Sequence, residues 1–300
     1  MIQTLKQKVK RKLYEASSEF VYHVDIVKYS RQLPLLSESD QNLVNQLKQE
    51  GVVMTSLEEL AIPSTPQLLR AANALLPDLE ITEFTTAPSK NKQHAFSHSI
   101  PVNPSKIAKQ YPEMFLWGLE DRILNILERY VGIPVACHGI NMRRDIANSQ
   151  QIGTRYWHID GEDRTVVKIL IYISDVDETC GPFEYIPKSL TPSYKAFKSV
   201  NYTVSDSEMA NVVPPNQWRT CTGKAGTVIF VDTGQVFHHG KVPEKERTAI
   251  FFAYTSQRPK RPDLCQSSSF REALPLLPKT LSERQKQAIW KYQENEDNIL

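Results

Sequence analysis

Only four of the 300 residues are cysteine (Cys137, Cys180, Cys221 and Cys265), and no two of them form a C-x-x-C pair. Scattered so widely in a chain this long, they read as reduced thiols of a cytosolic protein, not as a disulfide framework. No run of about 18 apolar residues occurs, so no membrane span is expected. The opening MIQTLKQKVKRKLYEASSEF is basic but lacks the continuous apolar segment of a secretory signal. Neither sign of charge dominates: 36 Lys and Arg meet 34 Asp and Glu, a net charge of +2. That leaves no excess to hold a polyanion, so a general nucleic-acid binder is not expected. Internal repeats and low-complexity tracts are absent as well. What is present is ordinary: 40% hydrophobic and 23% charged residues, enough to bury a real core. At roughly 150 residues per domain the length allows one or two domains.

The chain divides into a helical stretch to about 135, a strand-rich stretch over 135–256 and a Pro- and Ser-rich end. Ser39 or Asp40 is positioned to cap a helix through Leu43, Val44 and Leu47, which Gly51 would close. Thr65-Pro66 reads as a cap followed by proline, ahead of Leu68, Leu69, Ala72, Leu75 and Leu76 at helical spacing. A third helix is expected from Pro112 to Gly132, and Thr85 to Ser105, without a period, reads as a loop. The basic N-terminus reads as a solvated helix face, the alternative being a membrane-surface contact. TVVKILIYIS (165–174), GTVIFVD (226–232) and RTAIFFAYTS (247–256) are rich in β-branched and aromatic residues and bounded by turns such as Cys180-Gly181-Pro182. Short strands with long, irregular connections point to an antiparallel sandwich or jelly roll. Thr280-Leu-Ser-Glu283 reads as a capping box for a last helix through Trp290.

The chemically informative segment is Tyr156-Trp157-His158-Ile159-Asp160-Gly161. In extended chain the side chains at i and i+2 leave one face, so an imidazole and a carboxylate point together and Trp157 points away. Alone, H-x-D reads as a surface pair. Downstream comes Phe230-Val-Asp-Thr-Gly-Gln-Val-Phe-His238-His239-Gly240, and a third ligand from there would close a 2-His-1-carboxylate triad with open metal positions. Arg247 opens a strand in which Ala249, Phe251 and Ala253 share its face. An arginine turned into a barrel needs an anion, and its planar fork matches a carboxylate, such as that of a keto-acid cosubstrate.

H-x-D, then H-x-G about eighty residues on, then this arginine, together resemble the Fe(II)/2-oxoglutarate-dependent dioxygenases, and within them the phytanoyl-CoA dioxygenase-like branch. The segments 36–54 and 168–189 are similar to that branch too, so the resemblance spans most of 35–256. It implies a mixed α/β (α+β) protein with a double-stranded β-helix (jelly-roll, cupin-like) core and helices packed around it. The division implied is 1–34 as a basic helical extension, 35–256 as the dioxygenase domain (helical 35–134, jelly roll 135–256) and 257–300 as a loop and helix. It implies Fe(II) held by His158, Asp160 and His238, with His239 as the competing ligand. His238 lies at the spacing to Arg247 nearer the family's, which would turn His239 outward. The cosubstrate 2-oxoglutarate would meet Arg247, with Lys168 and Tyr172 on one face of their strand able to bond it or else to be ordinary strand residues. A small molecule would be hydroxylated by dioxygen as 2-oxoglutarate gives succinate and CO2. An Asp at 160, where related halogenases carry a small neutral residue, favours hydroxylation. The alternatives are a cupin-like barrel holding Zn(II) as a hydrolase or isomerase, and a non-catalytic ligand-binding barrel. His94 with His98 reads as loop, His138 and His23 as packed or surface residues, and Arg143-Arg144 as a pair of which one faces inward.

Overall fold

In the computed structural model, residues 2–80, 98–197, 202–265, 274–277 and 281–289 are described. Helix α1 (Ile2–Tyr29) lies against the body through Tyr22, Ile26 and Tyr29. Helix α2 (Glu38–Glu50) is capped by Ser37, whose hydroxyl accepts from the Asp40 N–H at 3.2 Å, so the expected caps Ser39 and Asp40 lie inside its first turn. Gly51 closes α2 at φ 77°, where a Cβ would also fall 2.4 Å from Val236 Cγ1. Strand β1 (Val52–Ser56) and helices α3 (Leu57–Leu60) and α4 (Thr65–Leu75) follow. Thr65 is the first helical residue of α4, not its cap, and its hydroxyl accepts from Trp117 Nε1.

Two further expectations are corrected. The single helix from Pro112 to Gly132 is two, α6 (Pro112–Trp117) and α7 (Asp121–Val131), with α5 (Pro104–Gln110) before them. The break falls at Gly118, whose carbonyl accepts from the buried Tyr254 hydroxyl at 2.8 Å and whose Cβ would strike Phe252 at 2.5 Å. A strand lying beneath thus decides where the helix stops. Residues 85–97 of the expected loop, His94 included, lie outside the described residues; the rest is not all loop. Ser99–Pro101 forms β2, and Asn103 caps α5.

The strands β3 (Val135–Asp145), β4 (Val167–Tyr172), β5 (Phe183–Tyr185), β6 (Arg219–Cys221), β7 (Thr227–Asp232), β8 (His238–Gly240) and β9 (Arg247–Ser256) make two antiparallel sheets. The larger runs β1-β7-β4-β9-β3-β2 and the smaller β6-β5-β8. Period-2 alternation sorts the side chains. Ile169, Ile171, Phe230, Ile250 and Phe252 join the helices in the main core, while Leu170, Tyr172, Ile229, Val231 and Ala249 face the smaller sheet. The result is a mixed helical and β protein with a jelly-roll core. Helix α8 (Asp206–Ala210) lies in the long β5–β6 connection. The last helix, α9 (Glu283–Ala288), has its reciprocal cap at Ser282 and Gln285, two residues beyond the expected box; Thr280 and Trp290 lie outside the described residues. Among the described residues no helix is long and apolar enough to cross a membrane, and the four cysteines are buried and free.

Candidate metal centre and its cavity

Between the sheets lies a cavity of about 800 Å³. His158 and His238 meet there because their backbones form an isolated antiparallel bridge: each residue's N–H donates to the other's carbonyl, at 3.1 and 3.0 Å. Asp160 is held by its own N–H to the Thr233 carbonyl at 2.9 Å. One ligand atom from each of His158, Asp160 and His238 lies within 4.8 Å of the others. The nearest approaches to the carboxylate are 3.8 Å from His158 Nε2 and 3.9 Å from His238 Nε2. Each imidazole is oriented by a backbone carbonyl: Nδ1 of His158 faces Tyr156 O at 2.8 Å and Nδ1 of His238 faces Val236 O at 3.1 Å. With Nδ1 as donor, Nε2 of both rings is the lone-pair nitrogen turned to the centre.

The electrostatics suit a cation. Burial pushes both imidazoles below the ordinary histidine range, keeping them in the neutral form that donates electrons. Burial alone would raise the Asp160 carboxyl, but the Lys168 ammonium foremost outweighs it and holds the group ionised. Asp160 Oδ2 is buried and meets Lys168 Nζ at 2.5 Å. A buried carboxylate oxygen facing two neutral imidazoles is a donor set for a divalent metal.

Arg247 reaches the same cavity but does not arrive without an anion, as the sequence suggested. Antiparallel register sets it opposite Asp145 of β3, and its Nε and Nη2 both donate to that carboxylate, Nε at 3.1 Å. Arg143, turned inward over the Phe251 ring at 4.2 Å, shares Asp145 at 3.0 Å. Burial would raise the Asp145 carboxyl, yet the two guanidinium groups pull it down to about 2. Two cations on one carboxylate leave a positive charge uncancelled. Arg247 Nη1 is buried with no hydrogen-bond partner, which leaves one donor for a second anion. Arg144 turns the other way, to Glu246 at 3.1 Å.

Lys168 lines the cavity; Tyr172 does not. The tyrosine is fully buried, its hydroxyl donating to Cys221 O at 2.8 Å and accepting from Phe183 N at 3.2 Å, with its ring 5.8 Å from the Arg247 guanidinium. It backs the arginine instead of reaching a ligand. His239 also departs from expectation. It points away from His238, yet inward: it is 1% exposed, stacked on Trp157 at 3.9 Å, with Nε2 to Glu184 and Nδ1 to Arg155 O, both at 2.9 Å. Burial with a carboxylate partner is possible because β5 places Glu184 opposite His239 in the ladder. His98 is buried against Thr154, His138 meets Thr255 at the cavity wall, and His23 is exposed.

Asp145, Glu184 and Arg155 were not expected from the sequence. For Asp145 a signal exists: it lies two residues from Arg143, on the same face of one strand. For Glu184 and Arg155 the partners come from other elements, and nothing local marks them.

No family model matches the sequence, and no curated protein matches it. Solved structures resemble it in fold. EctD from S. alaskensis with 2-oxoglutarate and 5-hydroxyectoine is 19% identical over 76% of this chain and 80% of its own, with a TM-score of 0.48. AviO1 from Streptomyces viridochromogenes Tue57 is 16% identical over 74% and 97%, at 0.49. HygX from Streptomyces hygroscopicus with nickel and 2-oxoglutarate bound is 15% identical over 74% and 88%, at 0.48.

Proposed function

We propose that the protein is a non-haem Fe(II)- and 2-oxoglutarate-dependent dioxygenase that hydroxylates a small organic molecule as 2-oxoglutarate is decarboxylated to succinate and CO2. The observation that carries this reading is the clustering of His158, Asp160 and His238 beside a cavity that His158, His238 and Arg247 line, where the buried guanidinium keeps a donor unpaired. Iron(II) bound by these three side chains would supply the redox chemistry with dioxygen and the keto acid. This chain's residues supply the rest. His158 and His238 present neutral Nε2 atoms, and Asp160 presents an ionised oxygen. Arg247, steadied by Asp145 and backed by Tyr172, receives the distal carboxylate of the keto acid. Lys168 lies within reach of the same space. About 800 Å³ accommodates a cosubstrate and a small second substrate together. A zinc hydrolase on such a barrel would have no use for the buried anion anchor. We read residues 35–256 as the catalytic unit, flanked by 1–34 and 257–300, and the four buried thiols fit a reducing, cytoplasmic setting.

The test is cosubstrate turnover without the prime substrate. Aerobic protein loaded with Fe(II) is expected to convert 2-oxoglutarate to succinate slowly. Arg247→Ala, in which Arg143 still balances Asp145, should raise the 2-oxoglutarate concentration for half-maximal turnover roughly tenfold or more while sparing metal affinity. Absence of succinate from metal-loaded protein, or equal loss of metal and cosubstrate in the variant, would overturn the assignment.

A further inference from the structure

Helix α1 turns an apolar stripe to solvent. Its inner face is committed: Tyr22, Ile26 and Tyr29 pack on the core, and Ser18 and Glu19 bond Arg164 at 2.9 and 3.1 Å. On the opposite side Phe20, Val24 and Val27 share one face by their i, i+4, i+7 spacing and are 70%, 48% and 75% exposed. Read backwards in the sequence, the same 3.6-residue period passes through Ala16, Leu13, Val9, Leu5 and Ile2. Interleaved with it are Lys6, Lys8, Lys10, Arg11 and Lys12, and no acid occurs in the first 14 residues. The net charge of +2 conceals this asymmetry, because outside this segment 31 Lys and Arg face 34 Asp and Glu.

We propose that the outer face of α1 docks the protein on an anionic lipid surface, lying in the plane of the interface. One apolar residue per turn, edged by cations whose stems can bury while their heads stay wet, is the pattern of an interfacial helix. Each cation near an anionic leaflet adds attraction that fades within a Debye length. A second copy of the chain is a poorer occupant. Of the acids of α1 whose side chains are described, Glu19 already pairs with Arg164 and Lys260, and Asp25 with Arg258. Little negative charge is left on the helix to meet five cations. The surface is separate from the candidate centre and does not depend on that reading.

Co-sedimentation of the full chain with vesicles of phosphatidylcholine and phosphatidylglycerol, against phosphatidylcholine alone, tests the proposal. The intact protein should pellet with the mixed vesicles only, and added salt should release it. Phe20→Asp with Val24→Asp should weaken partitioning about tenfold or more, as should replacing Lys6, Lys8, Lys10 and Lys12 by Gln. Phe20 and Val24 are exposed, so their variant should keep the parent's melting temperature, and the same melt on the lysine variant separates lost docking from lost folding. Failure to bind, equal binding to both vesicle types, or binding indifferent to either set of substitutions would overturn the proposal. So would a dimer in solution that Val24→Asp dissociates, since the face would then belong to a second copy.

Discussion

His238 and His239 show how much one residue of register decides. Alternation along a strand says that only one of two neighbours reaches a given space, and spacing to Arg247 picks His238. Both inferences are local; His238 lies with His158 and Asp160, while His239 does not join that group although it too borders the cavity. That His239 is buried, not solvent-facing, depends on Glu184, about 55 residues away in the chain, so no local pattern announces it. Lys168 is the residue whose role is sharpest to test. Its ammonium stands 2.5 Å from Asp160 Oδ2, on the carboxylate grouped with the two imidazoles. A positive charge there opposes a divalent cation by Coulomb repulsion and competes for its ligand. Lys168→Met should therefore bind Mn(II) roughly tenfold more tightly in the absence of cosubstrate, read from the free Mn(II) signal in electron paramagnetic resonance. Unchanged or weaker binding would show that the lysine does not act on the centre.

At the scale of elements, the turn between β7 and β8 joins the helical layer to the site. Asp232 accepts hydrogen bonds from Tyr130 of α7 at 2.8 Å, from Val166 N at 3.2 Å and from Gly234 N at 3.1 Å. Its neighbour Thr233 accepts from Asp160 N. Burial pushes the Asp232 carboxyl up to about 6, so the folded state holds a proton that the unfolded chain releases near pH 4. The sign follows: this contribution is complete below the ordinary aspartate value and is lost as pH rises through about 6. Asp232→Asn should flatten that decline, so between pH 4 and 7 the wild type should lose on the order of 2 kcal/mol relative to the variant in thermal melts. Parallel pH profiles would contradict it. The strands 165–174, 226–232 and 247–256 were legible because β-branched runs bounded by turns mark themselves. The break at Gly118 was not, since it is imposed by Tyr254 from a strand more than 130 residues on.

At the scale of the whole molecule, the jelly roll brings His158 and Asp160 together with His238, about 80 residues away in the chain, and the H-x-D and H-x-G motifs are the sequence features that mark those three side chains. The Arg143–Asp145–Arg247 group was only half visible: the need of Arg247 for an anion could be read, but not that Asp145 meets part of it across the β3–β9 register. The walls that would choose a substrate come from β2, β3 and the segment near Cys265, and no sequence pattern encodes them. The central claim is that the triad and Arg247 act together on one metal and one keto acid. Anaerobic optical titration tests it most directly. Protein with Fe(II) should develop a weak visible charge-transfer band on adding 2-oxoglutarate, and Asp160→Ala should abolish it. A featureless spectrum from folded, iron-loaded protein, or an identical band in the Asp160 variant, would contradict the account.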